Sequence, residues 1–541
     1  MRLPSALAPL RHRLFRMLWG ANIIVSLGVW MQSTSAGWMM TSLSPDALMV
    51  SLVQAATIVP VFLFALPAGA IADIVDRRIY ILGTQIWMLG AAVVLTLMTL
   101  GHLTDAWSLL ALTFAIGLGA AMNSPAWGSV LAEAVPRSDL VQAIGLNGVG
   151  FNIARAVGPA LAGFLLLAGG PGLTFGLNAG SYLVVIAVLL MWHRTHRAPA
   201  LPREHFLSAM KTGMRFVRHT PSMQAAMLRA AAFFLPGAAP WAMLPLVVRE
   251  QLGLGAGVYG MLLGLMGIGG VTAGLLLPHL RVRFQRGNIV FAATLMSCTG
   301  MLILGLSRHW LPAAFGMLIF GLGWVSASSV TQGAAQMASP SWVRARALSI
   351  YQLSFNFALA VGTFFWGWLG TQVGLTMALV IAALSGSLLA VVVRGLNIDT
   401  AEPTAAPSPA PLVPTVESIA PALAPMLERT RGRVLESQHY RIAPACKDAF
   451  LAAMAEVRDA RGRGGAVLWH LGEDVSAPEH WVELWWVENW TDHLREAGRL
   501  SDVDRAALAH AMSFHIEGVP LPTRRFLSIT PHRGQNGDRH N

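Results

Sequence analysis

The apolar part of this chain is written twice, and the two copies lie 204 residues apart. At that offset Gly117-Leu118-Gly119 falls on Gly321-Leu322-Gly323, and Pro136 falls on Pro340. Phe151-Asn152 then falls on Phe355-Asn356, Gly158 on Gly362 and Gly163 on Gly367, with no gap between them. Each copy holds about six apolar segments. An odd number of spans per copy would invert one half, whereas an even number leaves both halves in the same orientation. Two parallel halves related by an axis along the membrane normal are a recurrent design of secondary transporters, with the path between them near the bilayer midplane.

Composition agrees: 55% of the 541 residues are hydrophobic and only 12% are charged. Segments of roughly 20 apolar residues are long enough to cross a bilayer as helices. They fall near 15–40, 48–72, 79–100, 106–126, 140–168 and 172–192, then 222–248, 257–280, 288–306, 310–330, 346–370 and 373–394. The first follows a basic start and ends in no small-residue cleavage site, so it reads as a retained helix. With the N-terminus inside, nineteen Lys/Arg up to residue 400 fall on the cytoplasmic side, among them Arg11, Arg13, Arg16, Arg194, Arg281 and Arg283. Arg249 and Arg308 alone fall in outer loops. This positive-inside bias places both termini in the cytoplasm of a multi-pass inner-membrane protein. It also accounts for most of the membrane region's share of the +11 net charge, so no nucleic-acid partner is needed. Cys298 in a span and Cys446 in the tail suggest no structural disulfide.

The expected fold is an all-α membrane protein of twelve transmembrane helices in two parallel six-helix repeats, followed by a small α+β cytoplasmic domain. Residues 1–192 form the first half, 193–221 the linker and 222–396 the second half. The linker stretch Phe206–Arg218 is amphipathic and basic, which suits an interfacial helix. A Pro/Ala-rich connector covers 397–428. Residues 429–530 read as strand, helix, two strands, helical stretch and strand, an order that fits a ferredoxin-like sandwich. Residues 531–541 read as a disordered tail.

The most specific motif is Gly69-Ala70-Ile71-Ala72-Asp73-Ile74-Val75-Asp76-Arg77-Arg78, at the cytoplasmic end of the second span. It resembles the loop signature of the major facilitator superfamily. Its Asp-Arg-Arg version is similar to the subgroup of enterobactin-exporter-like transporters and transmembrane secretion effectors. The resemblance implies that Gly69 lets two helices pack closely and that Asp73 faces cations of the other half, with Arg77 and Arg78 completing a network that closes the cytoplasmic side. Arg344 and Arg346 are the expected partners. Asp76 stands where glycine is common, and aspartate tolerates a left-handed turn. The second copy, near Gly274–Arg286, keeps Gly270, Gly274, Arg281 and Arg283 but has no acidic residue.

Asn147–Gly163 in the fifth span resembles the fifth-helix antiporter signature, which accompanies export in the family. Gly158, Pro159 and Gly163 are its packing and kink residues. Arg155 lies deep in that span, where a charge is costly and faces a cavity or a partner. Arg229, near the start of the seventh span, is the other intramembrane cation. No Asp or Glu falls inside any span. Arg155 could therefore be neutralised by an anionic or polyphenolic cargo, or bond to backbone carbonyls, Asn147 or Asn152. Asn22, Gln32, Gln54, Gln332, Tyr351, Gln352 and Asn356 are polar on apolar spans and serve as cavity-wall candidates or helix contacts. Most Met and Trp residues read as lipid-facing or interfacial packing.

The tail motif Trp481–Arg495 resembles the subgroup's C-terminal domain and small antibiotic-biosynthesis monooxygenases of the dimeric α+β barrel type. A catalytic reading gives His470 or His493 a role with Trp485, Asn489 or Trp490; the structural reading makes these aromatics core, and fold resemblance alone confers no activity. No metal-ligand spacing joins His470, His480 and His493. No phosphate-binding loop is present.

The function read here is secondary active transport by alternating access, most simply export of a siderophore or another anionic or lipophilic metabolite. Multidrug efflux of neutral or cationic lipophiles is the alternative within transport. A membrane-anchored sensor or monooxygenase-like enzyme carried by the tail is the alternative outside it. The expected partners are a small-molecule substrate and the lipid bilayer; protons are the candidate coupling ion, and the C-terminal domain is a candidate homodimer surface. No cofactor and no enzymatic activity are expected.

Overall fold

The computed structural model describes residues 5–136, 139–192, 213–340, 343–399, 433–516 and 524–527. Part of the expected linker helix (206–212), most of the Pro/Ala-rich connector (from residue 400) and the 531–541 tail lie outside them. The chain divides into two compact units. The first contains residues 1–203, 225–333 and 351–399, and the second 204–224, 334–350 and 400–541.

Among the described residues, eleven helices are long and apolar enough to cross a membrane. They are α1 (Arg13–Leu43), α2 (Ala47–Ile74), α3 (Arg77–Leu100), α4 (Ala106–Glu133), the 52-residue Leu140–Met191, α7 (Pro221–Leu246), α8 (Ala256–Arg283), α9 (Arg286–Leu306), α10 (Trp310–Met337), α11 (Arg344–Val373) and α12 (Leu375–Val392). The longest is two helices, α5 (140–169) and α6 (171–191), joined at Gly170. Its two arms bring the crossing segments to twelve. Gly170 has φ 69°, and Gly374, 204 residues on and between α11 and α12, has φ 82°. A left-handed backbone favours glycine, so the same hinge closes both repeats.

Backbone polar groups in hydrocarbon must be satisfied within the segment, which is why these apolar runs become helices. Each half then packs its own spans. Phe15 and Leu18 of α1 meet Ile81 of α3, Val130 of α4 and Leu189 of α6 in one buried cluster. Met40, Val50, Leu95, Leu109 and Phe175 form another in the same half. Buried polar groups stitch helices together: Asn178 of α6 donates to Gln32 of α1, and Tyr351 of α11 donates to Thr331 of α10 at 2.9 Å.

In the second unit, a helical segment (213–218) ends the inter-half linker. The C-terminal domain runs β1 (Val434–Arg441), α13 (Lys447–Gly464), β2 (Leu468–Glu473), β3 (His480–Val487), α14 (Trp490–Arg499), α15 (Asp502–Met512) and β4 (Arg524–Leu527). The strands lie in the order β2-β3-β1-β4 with every neighbouring pair antiparallel. Tyr440, Phe450, Met454, Val457 and Trp481 fill the space between sheet and helices.

Candidate transport site

The loop after α2 is built by capping. Asp76 precedes α3 with φ −58° and ψ 122°, an ordinary extended N-cap geometry, so the left-handed turn allowed for aspartate is not used. Its carboxylate accepts from the amides of Arg78 (2.9 Å) and Ile79 (3.3 Å), an N-cap that also opposes the helix dipole. Arg78 donates to the carbonyls of Leu189 (2.8 Å) and Leu190 (2.9 Å) at the end of α6. Both therefore brace the first half, and Arg78 is committed there instead of reaching a partner in the other half. Gly69 and Asp73 fall in the last turns of α2; the Asp73 carboxylate lies outside the described side chains. Arg77 is part-buried, as are Arg344 and Arg346 in the second unit, where Arg344 donates to Ser339 O at 3.0 Å.

The second copy of the loop acquires an acid from far along the chain. Asp399, just beyond α12, accepts from the amides of Arg286 (2.8 Å) and Gly287 (3.2 Å) and caps α9 as Asp76 caps α3. Arg229 joins the same knot. Its guanidinium donates to the carbonyls of Leu396 (3.0 Å), Gly287 (2.9 Å) and Arg394 (2.7 Å). It is 4% exposed, so Arg229 is a structural clasp and not a cavity cation.

Arg155 is placed differently. It is part-buried on α5, and a Cβ built on Gly270 of α8 would lie 3.6 Å from its Nη2. The side chain thus reaches from one half to the other. Asn147 is taken by Asn22 Nδ2 (2.9 Å), and Asn152 turns back to its own Gly148 carbonyl (2.9 Å). Among the described residues no hydrogen bond or ion pair of the Arg155 guanidinium is found. An intramembrane cation in that position is a functional group by default.

Around it runs a wall of rings. Trp30 of α1 lies 6.2 Å from Phe151 of α5, one helical turn from Arg155, and 6.1 Å from Trp241 of α7. Trp241 continues to Trp324 of α10 (5.7 Å), and Trp324 to Phe234 (5.1 Å) and Phe320 (5.6 Å). Phe234 then meets Phe355 of α11 at 4.8 Å, and Phe355 meets Tyr351 at 6.1 Å. Trp30, Trp241 and Trp324 are consequently not lipid-facing, contrary to the expectation for most tryptophans. The Trp241 indole N–H is buried and has no partner among the described residues. Of the other wall candidates, Gln32 and Tyr351 are buried helix contacts, while Asn356 bonds back to Gln352 O (2.9 Å) in its own helix. Gln332 and Gln352 are exposed.

The halves touch closely where α5 crosses α8. A Cβ on Gly163 would sit 2.8 Å from Gly260 Cα, and one on Gly267 would sit 2.7 Å from Ala156 Cα. Gly158 packs on Trp30 in the same way, with 2.6 Å to its Cβ. Small residues at helical spacing permit this approach, and Gly257, Gly260, Gly264 and Gly267 on α8 carried that signal in the sequence without being read. At the end holding the α1–α2 and α7–α8 turns, Arg249 donates to Thr41 Oγ1 (3.0 Å) and to Ser42 Oγ. It also lies 5.9 Å over Trp38, which stacks on Tyr259 at 5.8 Å. A cation on an aromatic face adds attraction there.

The C-terminal domain buries charge in a closed network. Arg461 of α13 lies 3.6 Å over the Trp485 ring and pairs with Glu483 (3.0 Å) and Glu496 (3.1 Å). Glu483 also accepts from Tyr440 (2.9 Å) and Trp469 (3.0 Å), and His493 Nδ1 is 2.6 Å from Glu436. Burial pushes Glu496 up to about 7 against the pull of Arg461. For Glu436 burial acts upward, but its hydrogen bond to His493 and the charge there leave it lowered. Glu436, His493 and Glu496 are close enough to share a cation, yet each is already bonded within the network. His470 instead edges Trp486 at 5.9 Å, and its strand partner is Leu484. It lies on the opposite sheet face from Trp485, and Asn489 serves as the N-cap of α14 (2.9 Å to Asp492 N). Of the grouping read from the sequence, His493 lies 4.8 Å from Trp490, while His470 is set apart from Trp485.

A family model described as transmembrane secretion effector matches residues 4–533. The chain belongs to that family. It is a membrane transporter of the major facilitator type, and not an enzyme. Over 297 residues it is 20% identical to the staphyloferrin A transporter of Staphylococcus aureus (strain NCTC 8325 / PS 47), covering 54% of this chain and 74% of that protein. Over 195 residues it is 25% identical to the enterobactin exporter of Escherichia coli O81 (strain ED1a), covering 36% of this chain and 46% of the exporter's length. A bacterial homologue of the human lysosomal transporter Spinster, solved inward-facing and unoccupied, superposes with TM-score 0.58 at 14% identity, over 74% of this chain and 97% of that one. That likeness is one of fold.

Proposed function

We propose that this transporter exports a small anionic, aromatic-bearing metabolite of the siderophore class by alternating access. One observation carries the reading: a cation reaching between the halves with no protein partner among the described residues, beside a continuous aromatic wall. An anionic cargo would supply the missing counter-charge, since charge-assisted hydrogen bonds are the strong ones and water is excluded. Its rings would stack on Trp30, Phe151 and Trp241, where aromatic pairs contribute about 0.5–1.5 kcal/mol each. The names of the staphyloferrin A transporter and the enterobactin exporter support the same cargo class.

The glycine contacts of α5 with α8, together with the Arg249 clasp, are the outer closure in this reading, and the path opens to the cytoplasm. The Asp73 loop, with Arg77, Arg344 and Arg346, would close the inner side in the alternate state. The four-stranded order β2-β3-β1-β4 supports a ferredoxin-like domain. Protons are the proposed driving ion.

The test is accumulation of an iron-free catecholate siderophore in inverted vesicles, with and without a proton gradient. Wild type is compared with Arg155→Ala and Asp73→Asn. Gradient-dependent uptake that Arg155→Ala abolishes and Asp73→Asn slows is the expected result. Uptake of lipophilic cations instead, unaffected by Arg155→Ala, would replace this reading with multidrug efflux.

A further inference from the structure

The second unit brings the end of the inter-half linker, the segment between α10 and α11, and the C-terminal domain into one compact body. Its centre is the linker helix 213–218. Arg215 donates through Nη1 to the Gly465 carbonyl (2.8 Å) at the end of α13, and through Nη2 to Glu488 Oε2 (3.0 Å). One turn on, His219 Nδ1 stands 3.4 Å from Asp459 Oδ1, and its carbonyl accepts from Arg463 Nη1 at 3.2 Å. Arg463 is held in turn by two bonds to Asp504 (2.9 and 2.6 Å). A Cβ on Gly462 would fall 2.7 Å from the His219 ring, so the helix seats directly on the α13 backbone.

A lone surface ion pair contributes little. Here each arginine bridges a carboxylate and a backbone carbonyl. The Gly465 carbonyl lies at the negative end of α13, and the His219 carbonyl directly follows the last turn of the linker helix; both favour a cation. Arg215 and Glu488 keep only 18% and 29% of their side chains exposed. On its other side the linker helix meets α11: a Cβ on Gly213 would lie 3.0 Å from Arg346 Cβ. Two residues after His219, α7 begins at Pro221. One short helix thus leads through a two-residue turn into α7, packs on the first turn of α11 and is clasped by the domain. Those two spans carry Phe234, Trp241, Tyr351 and Phe355 of the aromatic wall.

We propose that the C-terminal domain is a regulatory clamp on the cytoplasmic starts of α7 and α11, engaged through Arg215 and His219, that sets how readily the halves exchange conformations. The clamp rests on the alternating-access reading. Engaged, it holds the two helices together as one stiff edge of the second half. Released, it lets them move separately.

The experiment uses the full chain in lipid nanodiscs, with Cys298→Ser and Cys446→Ser. Spin labels go at Ile79→Cys and Val282→Cys, which are 65% and 88% exposed at the ends of α3 and α8 on the loop side. Pulsed electron resonance then reads the distance between halves, with and without a catecholate siderophore as probe. Arg215→Glu is expected to change the ratio of short to long distances by at least about twofold. Gly462→Leu, which pushes His219 away, should change it the same way, and Arg215→Glu with Glu488→Arg should return it towards wild type. Variants that match an exchanging wild type overturn the clamp alone, as does a change that the charge reversal leaves uncorrected. A wild type whose single distance no condition moves overturns alternating access, and the clamp with it.

Discussion

Trp30–Phe151 in the first half and Phe234–Phe355 in the second occupy the same positions 204 residues apart, and both are ring contacts. Asn152 and Asn356 are another such pair, each bonded at 2.9 Å to the carbonyl four residues back. Gly158 packs on α1 and Gly362 on α7; Gly163 packs on α8 and Gly367 on α2. Against this shared frame, one difference bears on charge between the halves. Arg155 has Leu359 as its counterpart. The repeat supplies a hinged, close-packed scaffold with aromatic walls on both sides, and the charge that would choose the cargo is on one side only.

The comparison breaks most visibly in the rings. Phe234 is buried and touches Phe233, Trp324 and Phe355, whereas Trp30 is part-exposed. Phe234→Ala should cost about 3–5 kcal/mol of stability, the range for large buried aromatics. Trp30→Ala should weaken cargo binding with a smaller loss of stability. Thermal melting of the purified protein separates the two, and equal losses would mean that both rings are structural.

Next in size is the charge. Removing a hydrogen-bonding cation costs about 1.5–3 kcal/mol, so Arg155→Leu, which makes the first half like the second, should weaken binding of an anion by roughly ten- to a hundredfold. Leu359→Phe, an uncharged change at the matching site, should leave the preference for anions in place. Titration calorimetry with an aromatic carboxylate reads both.

The close contacts come third. A Cβ at Gly163 would lie 2.8 Å from Gly260 Cα, and one at Gly367 would fall closer still to Ser51 Cβ, which the α2 backbone fixes in place. Overpacking costs about 1–3 kcal/mol, so Gly163→Ala and Gly367→Ala should both open the outer side. Labelling of a cysteine introduced at Thr41, compared with the same cysteine in the otherwise unchanged protein, measures it, and an unchanged rate in either variant would argue against that contact as part of the outer closure. Smallest are the asparagines: Asn152→Ala and Asn356→Ala lose only a bond within their own helix and should each shift melting by less than the glycine changes, about equally.

Much of this was legible in the sequence. The duplication, the twelve crossings and the strand–helix order of the tail follow from hydrophobic length and periodicity, which act locally. Arg155 stood out because no carboxylate shares the spans. Arg229 misled for the same reason: its three carbonyl partners come from α9 and from residues beyond α12, and chain order does not reveal that meeting. Asp76 could have been read as a helix cap, being an aspartate directly before an apolar helical run. The tryptophan wall could not, because periodicity in a uniformly apolar helix does not say which face is inward.

The central claim is that Arg155 recognises a negative charge between the halves. The most direct measurement is the dissociation constant of a dihydroxybenzoate and of its uncharged methyl ester, for purified wild type and Arg155→Leu in detergent. The account predicts that wild type prefers the anion by about tenfold or more, and that Arg155→Leu loses this preference by weakening the anion while leaving the ester unchanged. An anion preference that survives in Arg155→Leu would contradict it.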